Sequence, residues 1–208
     1  MTDSAAAPAT RQAILSAAAE LFAARGQAGT TIKQIGRRAG VNPALIYYYF
    51  ADKAALYDAV LAELVGRFPV QLAEAALATD SPRDALAAVV HRQARVFAEE
   101  PLLPRLIVRE LADHDGSRAT PLLGEHARRL LASLTVLIRR GQDDGSFRTD
   151  VEPHHAAISC LAQINWYCIS GPLMLMLMGD KPEGPHTLEI DRFAEHVVKF
   201  TLAALEAR

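Results

Sequence analysis

Cysteine is scarce in this sequence. The 208 residues include two, Cys160 and Cys168, eight apart in one apolar stretch. That pair makes neither a disulfide framework nor a zinc pattern, and it suits a reducing cytoplasm. The N-terminal residues are polar and alanine-rich, with no basic segment leading into an apolar one, so no secretory signal is expected. There is no G-x-S-x-G elbow, no glycine-rich phosphate loop and no H-E-x-x-H, so catalysis finds no foothold and the chain is not expected to be an enzyme. His154 and His155 are neighbours, and adjacent helical side chains diverge by about 100°, a poor geometry for one metal. Neither a metal nor a cofactor is expected. The one long apolar stretch, residues 156–178, is interrupted by Gln163, Asn165 and Ser170–Gly171–Pro172 and has no close basic flank. Polar groups are costly in hydrocarbon, so this segment predicts a buried, broken helix and no membrane partner.

A large charge of one sign is missing too: the net charge is −2. Its distribution is uneven. Residues 1–50 carry five basic side chains (Arg11, Arg25, Lys33, Arg37, Arg38) against Asp3 and Glu20, and the rest carry 17 basic and 22 acidic. A basic head on an acidic body is what a local phosphate-binding surface requires.

What is present in quantity is alanine and leucine in segments of helical period, separated by turn signals. Half the residues are hydrophobic, enough to bury a substantial core. Thr10 predicts the cap of a first helix with Ile14, Ala18, Leu21 and Phe22 on one face and Gly26 at its end. Thr31 and Gln34 have capping-box spacing for a second helix that ends at Gly40. Asn42–Pro43 opens a short third helix. Asp52 caps a fourth running through the sixties and seventies. Ser81–Pro82 and Thr120–Pro121 repeat the cap-then-proline signal. Pro101 and Pro104 separate the helices near 83–99 and 104–113. Residues 141–153 and 180–186 read as loops, and Thr187 starts the last helix. The expected fold is all-α with about nine helices. A head spans residues 1–57 and a helical body 58–208.

Residues 31–53, TIKQIGRRAGVNPALIYYYFADK, place two short helices around a tight turn at Gly40–Val41–Asn42. That is the helix-turn-helix arrangement, in which the second helix enters the major groove of DNA and the first braces it. Ile32, Ile35 and Ala39 form the buried face of the bracing helix; Val41, Leu45 or Ile46, and Phe50 lock the reading helix onto it. Tyr47, Tyr48 and Tyr49 fan about 100° apart, so at least one belongs to the core while the others offer hydroxyls to phosphates. Lys53 adds a cation beside the free amides that begin the next helix. Arg37 and Arg38 are either phosphate contacts or a solvated face, and Asn42 is either a cap or a base contact.

Ile14, Ala18, Leu21, Phe22, Gly26, Thr30–Thr31–Ile32, Ile35, Ala39–Gly40–Val41, Ile46–Tyr47–Tyr48–Tyr49–Phe50, Asp52–Lys53 and Leu56 occur in an order and spacing that closely resembles the tetracycline-repressor family. The resemblance covers about the first 57 residues. It implies a double-stranded operator as partner, with Thr31 on phosphate, Asn42, Pro43, Ala44 and Leu45 facing base edges, and Tyr47, Tyr48 and Lys53 on phosphates. Lys33 and Arg37 join this set as cations. Pro43 departs from the basic or polar residue many members carry. Direct readout therefore rests on Asn42 and on apolar contacts to thymine methyls.

One short helix reads few base pairs, and two-fold dimers solve this with inverted half-sites. The last helix offers a stripe, Ile190, Phe193, Ala194, Val197, Thr201, Ala204 and Leu205, widened by Val198 and Leu202. The resemblance implies a homodimer through the last two helices of each protomer. It also implies a small-molecule inducer pocket in the body. Its lining is expected from Phe97, Trp166, Tyr167, Met174 and Met176, with Gln163, Asn165 and Arg109 as polar anchors and Pro172 opening space beside them. Without a basic cluster in the body, the ligand is expected to be apolar or aromatic and unphosphorylated. The reading is a cytoplasmic, ligand-released DNA-binding regulator. The competing readings are a helical interaction module and an all-helical enzyme.

Overall fold

The computed structural model describes residues 3–66, 68–177 and 189–206. Among them are ten helices and no strand: α1 (Asp3–Arg25), α2 (Ile32–Ala39), α3 (Pro43–Tyr49), α4 (Lys53–Leu64), α5 (Phe68–Ala76), α6 (Pro82–Glu99), α7 (Leu103–His114), α8 (Ala119–Asp143), α9 (Pro153–Leu177) and α10 (Ile190–Leu205). The all-α class is as expected. Four boundaries differ from the sequence reading, one of them at α8, which starts at Ala119 and takes Thr120 and Pro121 inside the helix instead of at its cap. α1 starts at Asp3 instead of after Thr10, carried forward by the good helix formers Ala5–Ala7. The expected fourth helix is two: Val65 and Gly66 close α4, with the Gly66 amide on the Leu61 carbonyl, and α5 restarts with Pro69 in its first turn. α9 runs unbroken through Ser170–Gly171–Pro172. Proline there omits one amide-to-carbonyl bond, and a long helix tolerates a single loss. The expected loop at 180–186 and the Thr187 helix start lie outside the described residues.

The backbone falls into two compact units, Met1–Arg67 with Arg105–Leu123, and Phe68–Pro104 with Gly124–Arg208. In the first, α1 packs on α2 and α4, and α2 on α3. Ile14, Ala18 and Phe22 of α1, Ile35 of α2, Ile46 of α3, and Leu56 and Val60 of α4 are all almost fully buried. Phe22 and Tyr57 stand edge to face, ring centres 5.1 Å apart. Burying each such side chain contributes about 1.5–3 kcal/mol. α7 adds a buried carboxylate: Glu110 accepts the Tyr57 hydroxyl at 3.0 Å and the amides of Arg118 and Ala119 at 2.8 Å each. The charge thus sits where the free amides at the start of α8 converge.

In the second unit, α6 packs against α5, α9 and α10, and α9 against α10. Its core joins Val89, Val90 and Ala94 with Leu134, Ile138, Cys160, Ile164, Ala194, Val197 and Leu205. Phe147, 2% exposed, anchors the loop after α8, where the Arg148 amide donates to the Leu205 carbonyl at 2.8 Å.

Candidate nucleic-acid interface

The interface is built on α2 and α3. Thr31 and Gln34 form the expected capping box. The Thr31 hydroxyl accepts the Gln34 amide at 3.3 Å, and the Gln34 Oε1 accepts the Thr31 amide at 2.9 Å. Gly40 ends α2 in the left-handed region, φ 69°, where a residue with a Cβ is strained. The turn then folds α3 back across Gly36, where a Cβ would lie 2.9 Å from the Val41 carbonyl oxygen and 3.3 Å from the Pro43 ring. Asn42 caps α3, its Oδ1 accepting the Ala44 amide at 2.9 Å, and Pro43 opens the first turn. Ile46 and Phe50 lock α3 from behind, 1% and 6% exposed. Of the two residues that sequence left as alternatives, Ile46 is therefore the buried one and Leu45 faces out.

The front of α3 is open. Asn42, Ala44, Leu45, Tyr47 and Tyr48 are exposed, Tyr48 at 80%. Tyr49 is the half-buried tyrosine, its ring 5.1 Å from Tyr48 and 6.5 Å from Phe50. Lys33 and Arg37 are exposed on α2, and a cleft of about 470 Å³ runs between the helices, lined by Thr31, Lys33, Gln34, Arg37, Val41 and Pro43.

Two head residues also make bonds within the head that the sequence did not indicate. The Lys53 ammonium donates to the carbonyls of Gln27 and Thr30, at 2.7 and 2.8 Å, and so ties the α1–α2 turn to the start of α4. One of its three donors is left. Arg38 pairs with Glu20, Nε to Oε2 2.6 Å. Sequence reasoning also missed Arg11, whose guanidinium lies 5.4 Å from the Phe50 ring centre. No local pattern signals that contact, because it joins separate helices.

The body residues named from sequence have the following places in their own units. Arg109 belongs to the first unit, its Nη2 donating to the Ala24 carbonyl at 3.3 Å. Phe97 is buried and stacks on Phe68. Gln163 bonds Thr201, and Asn165 accepts from the buried Gln93. Tyr167 stacks on Phe193 at 3.9 Å. Trp166 and Met176 are exposed, and Met174 is half-buried. Residues 166 and 167 diverge because a helix turns about 100° per residue. The α10 stripe also turns inward. Ala194, Val197, Thr201 and Leu205, with Val198 and Leu202, are buried in their own unit; Ile190 and Phe193 are half-buried, and only Ala204 is exposed. The large apolar residues left outside on these two helices are, among the described residues, Phe200 on α10 and Ile158, Trp166, Leu173, Met176 and Leu177 on α9.

A family model described as bacterial regulatory proteins, tetR family, matches residues 14–60, and one described as tetracyclin repressor-like, C-terminal domain, matches residues 82–200. The chain belongs to the TetR family of bacterial transcription regulators. It is a helix-turn-helix DNA-binding regulator. A TetR-family relative, the transcriptional repressor NicS of Pseudomonas putida, is 29% identical over 160 residues, 76% of this chain and 75% of that protein. The regulator BetI of Rhizobium meliloti is 29% identical over 136 residues, 64% of this chain and 66% of BetI. Among solved structures, PfmR of Thermus thermophilus superposes with a TM-score of 0.73 at 23% identity, covering 93% of this chain and 99% of PfmR. FadR of Bacillus subtilis, solved with stearoyl-CoA, gives 0.69 at 18% identity, covering 93% and 98%. These likenesses extend the TetR architecture through the body, beyond the head where sequence showed it. Among the described residues, no helix is long and apolar enough to cross a membrane.

Proposed function

We propose that this regulator is a cytoplasmic, two-fold symmetric repressor that reads an inverted-repeat operator with α3 and is released by a small apolar or aromatic ligand. The observation that carries the DNA reading is the asymmetry of α3. Ile46 and Phe50 fix its back, while Tyr47 and Tyr48, 57% and 80% exposed, stand out in front. Large aromatic surface left in water is unfavourable unless a partner covers it, and tyrosine hydroxyls on a helix beside exposed Lys33 and Arg37 match a phosphate backbone. Asn42, Pro43, Ala44 and Leu45 then face the base edges.

Two copies meet, in this reading, over the apolar residues that α9 and α10 leave exposed, Trp166 and Phe200 foremost. Support for a body ligand comes from family membership and from FadR, whose structure holds stearoyl-CoA. Release requires the ligand to bind the DNA-incompetent arrangement more tightly, and the coupling is reciprocal.

The test is selection of genomic fragments by the full-length protein, followed by gel shift across salt concentrations. The expected result is a small set of inverted repeats bound with steep salt dependence. A protein that shifts no fragment at low salt is an interaction module, and the operator reading falls. A body ligand found by thermal shift that leaves operator affinity unchanged removes the inducer.

A further inference from the structure

Beside the last turn of α1 lies a second cleft, about 340 Å³, lined by Leu21, Arg25, Gln34, Arg37 and Arg38. Its polar groups are donors. The Gln34 Oε1 is already occupied by the amide and hydroxyl of Thr31, at 2.9 and 3.0 Å, which leaves the two Nε2 protons as the free end of that side chain. The carboxylate at hand, Glu20, is held by Arg38. Arg25 and Arg37 are exposed and form no ion pair among the described residues. Gln34 and Arg37 also line the α2–α3 cleft with Thr31, Lys33 and Pro43. The donor surface is therefore continuous from the start of α3, across α2, to the end of α1.

Two unneutralised guanidinium groups lining one cleft with an amide donor suit a tetrahedral oxyanion, because arginine presents paired N–H groups matched to phosphate oxygens. We propose that this cleft seats a backbone phosphate of the DNA flanking the bases that α3 reads, with Arg25 and Arg37 as its cations and Gln34 Nε2 as the orienting donor. The proposal rests on the operator reading above and adds Arg25 and Gln34 to it, extending the footprint outward from α3. A free phosphate ion shares this chemistry, so the test must separate the two.

Duplexes selected by the wild-type protein are titrated between about 50 and 200 mM salt with wild type, Arg25→Gln, Arg37→Gln and the double variant. Gln34 is left intact because its carbonyl holds the α2 cap. Combining the two substitutions is expected to reduce the steepness of log affinity against log salt by about 0.9, the contribution of one phosphate, with each single variant reducing it in part, and all three variants should weaken matched and unmatched duplexes alike. Both residues are exposed, so thermal melting should be unchanged. Duplexes carrying neutral methylphosphonates just outside the half-site locate the contact. Wild type should lose as much on them as the Arg25→Gln, Arg37→Gln double variant loses on normal DNA, and the double variant should lose nothing further. Additive losses, or an unchanged slope for Arg25→Gln, overturn the seat while leaving the operator reading standing. If inorganic phosphate at constant ionic strength shifts the Arg25 Nε–H resonance and the DNA slope ignores Arg25→Gln, the cleft holds a free anion only and the proposal fails. Absence of duplex binding by wild type removes both readings together.

Discussion

Two side chains that sequence treated alike, Tyr48 and Lys53, separate at the residue scale. Tyr48 is 80% exposed and touches the Tyr49 ring edge to face. Tyr48→Ala should weaken DNA binding on all sequences with the melting temperature unchanged. Lys53 holds two carbonyls of the α1–α2 turn. Lys53→Ala should lower stability by about 1–2 kcal/mol, as loss of charge-assisted bonds does, alongside any loss of affinity. Equal melting temperatures for the two variants would refute that division. The cysteines give a second test. Burial pushes the Cys160 thiol up to about 12 and the Cys168 thiol up to about 11. The thiolate is the reactive form, so at pH 8 native Cys168 should alkylate on the order of a hundredfold more slowly than in denaturant. Both folded values exceed the unfolded one of about 8.5. Their stabilising contribution is therefore complete below about pH 8.5 and is lost as pH rises toward about 12, which denaturant titrations at pH 8 and pH 10 would register.

Among elements, the α2–α3 pair depends on one close approach and one cap. A methyl at Gly36 meets backbone at Val41 and the Pro43 ring. Gly36→Ala should cost about 1–3 kcal/mol, as overpacking does, and abolish operator binding by tilting α3. Asn42 combines a structural role with a proposed one. It caps α3 through Ala44, and in the proposed function it also faces a base. Asn42→Ala should destabilise by about 1 kcal/mol. Asn42→Ser keeps a capping oxygen and shortens the reach, so its stability should match wild type while its preferred operator changes. Fragment selection with each variant checks this, and an unaltered preference for Asn42→Ser leaves Asn42 as a cap alone. Caps were readable from sequence here because they are local: Thr31–Gln34, Asn42–Pro43, Asp52 and Ser81–Pro82 all cap where their spacing placed them. The α4–α5 break escaped notice because Gly66 lies in a stretch whose apolar period runs on past it.

For the whole molecule, α10 turns Val197 into its own unit and leaves Phe200 outside, and in the proposed function the outer face is where two copies meet. Phe200→Asp should leave the protomer folded and shift light-scattering mass at micromolar concentration from dimer to monomer, with loss of operator affinity. Val197→Asp should instead unfold the chain, because Val197 is fully buried in its own unit and a lone carboxylate there has no partner. A folded monomer from Val197→Asp, together with a dimeric Phe200→Asp, would restore the α10 stripe as the contact face. An apolar stripe on an amphipathic helix reports that something covers it, not what does.

The sequence by itself determined the helical class, the helix-turn-helix, its caps and the TetR resemblance, because each depends on residues a few positions apart whose hydrogen bonds close locally. It left open which of Tyr47, Tyr48 and Tyr49 turns inward, and the structure half-buries Tyr49. Tertiary structure alone decided the rest. It put Arg109 against Ala24, Asn165 against Gln93 and Tyr167 against Phe193. It put Lys53 on the carbonyls of a turn more than twenty residues away, and it gathered Arg25, Gln34 and Arg37 around one cleft. Those placements follow from how helices distant in sequence stack, and helical period, which is the same for a buried face and a binding face, carries no record of it.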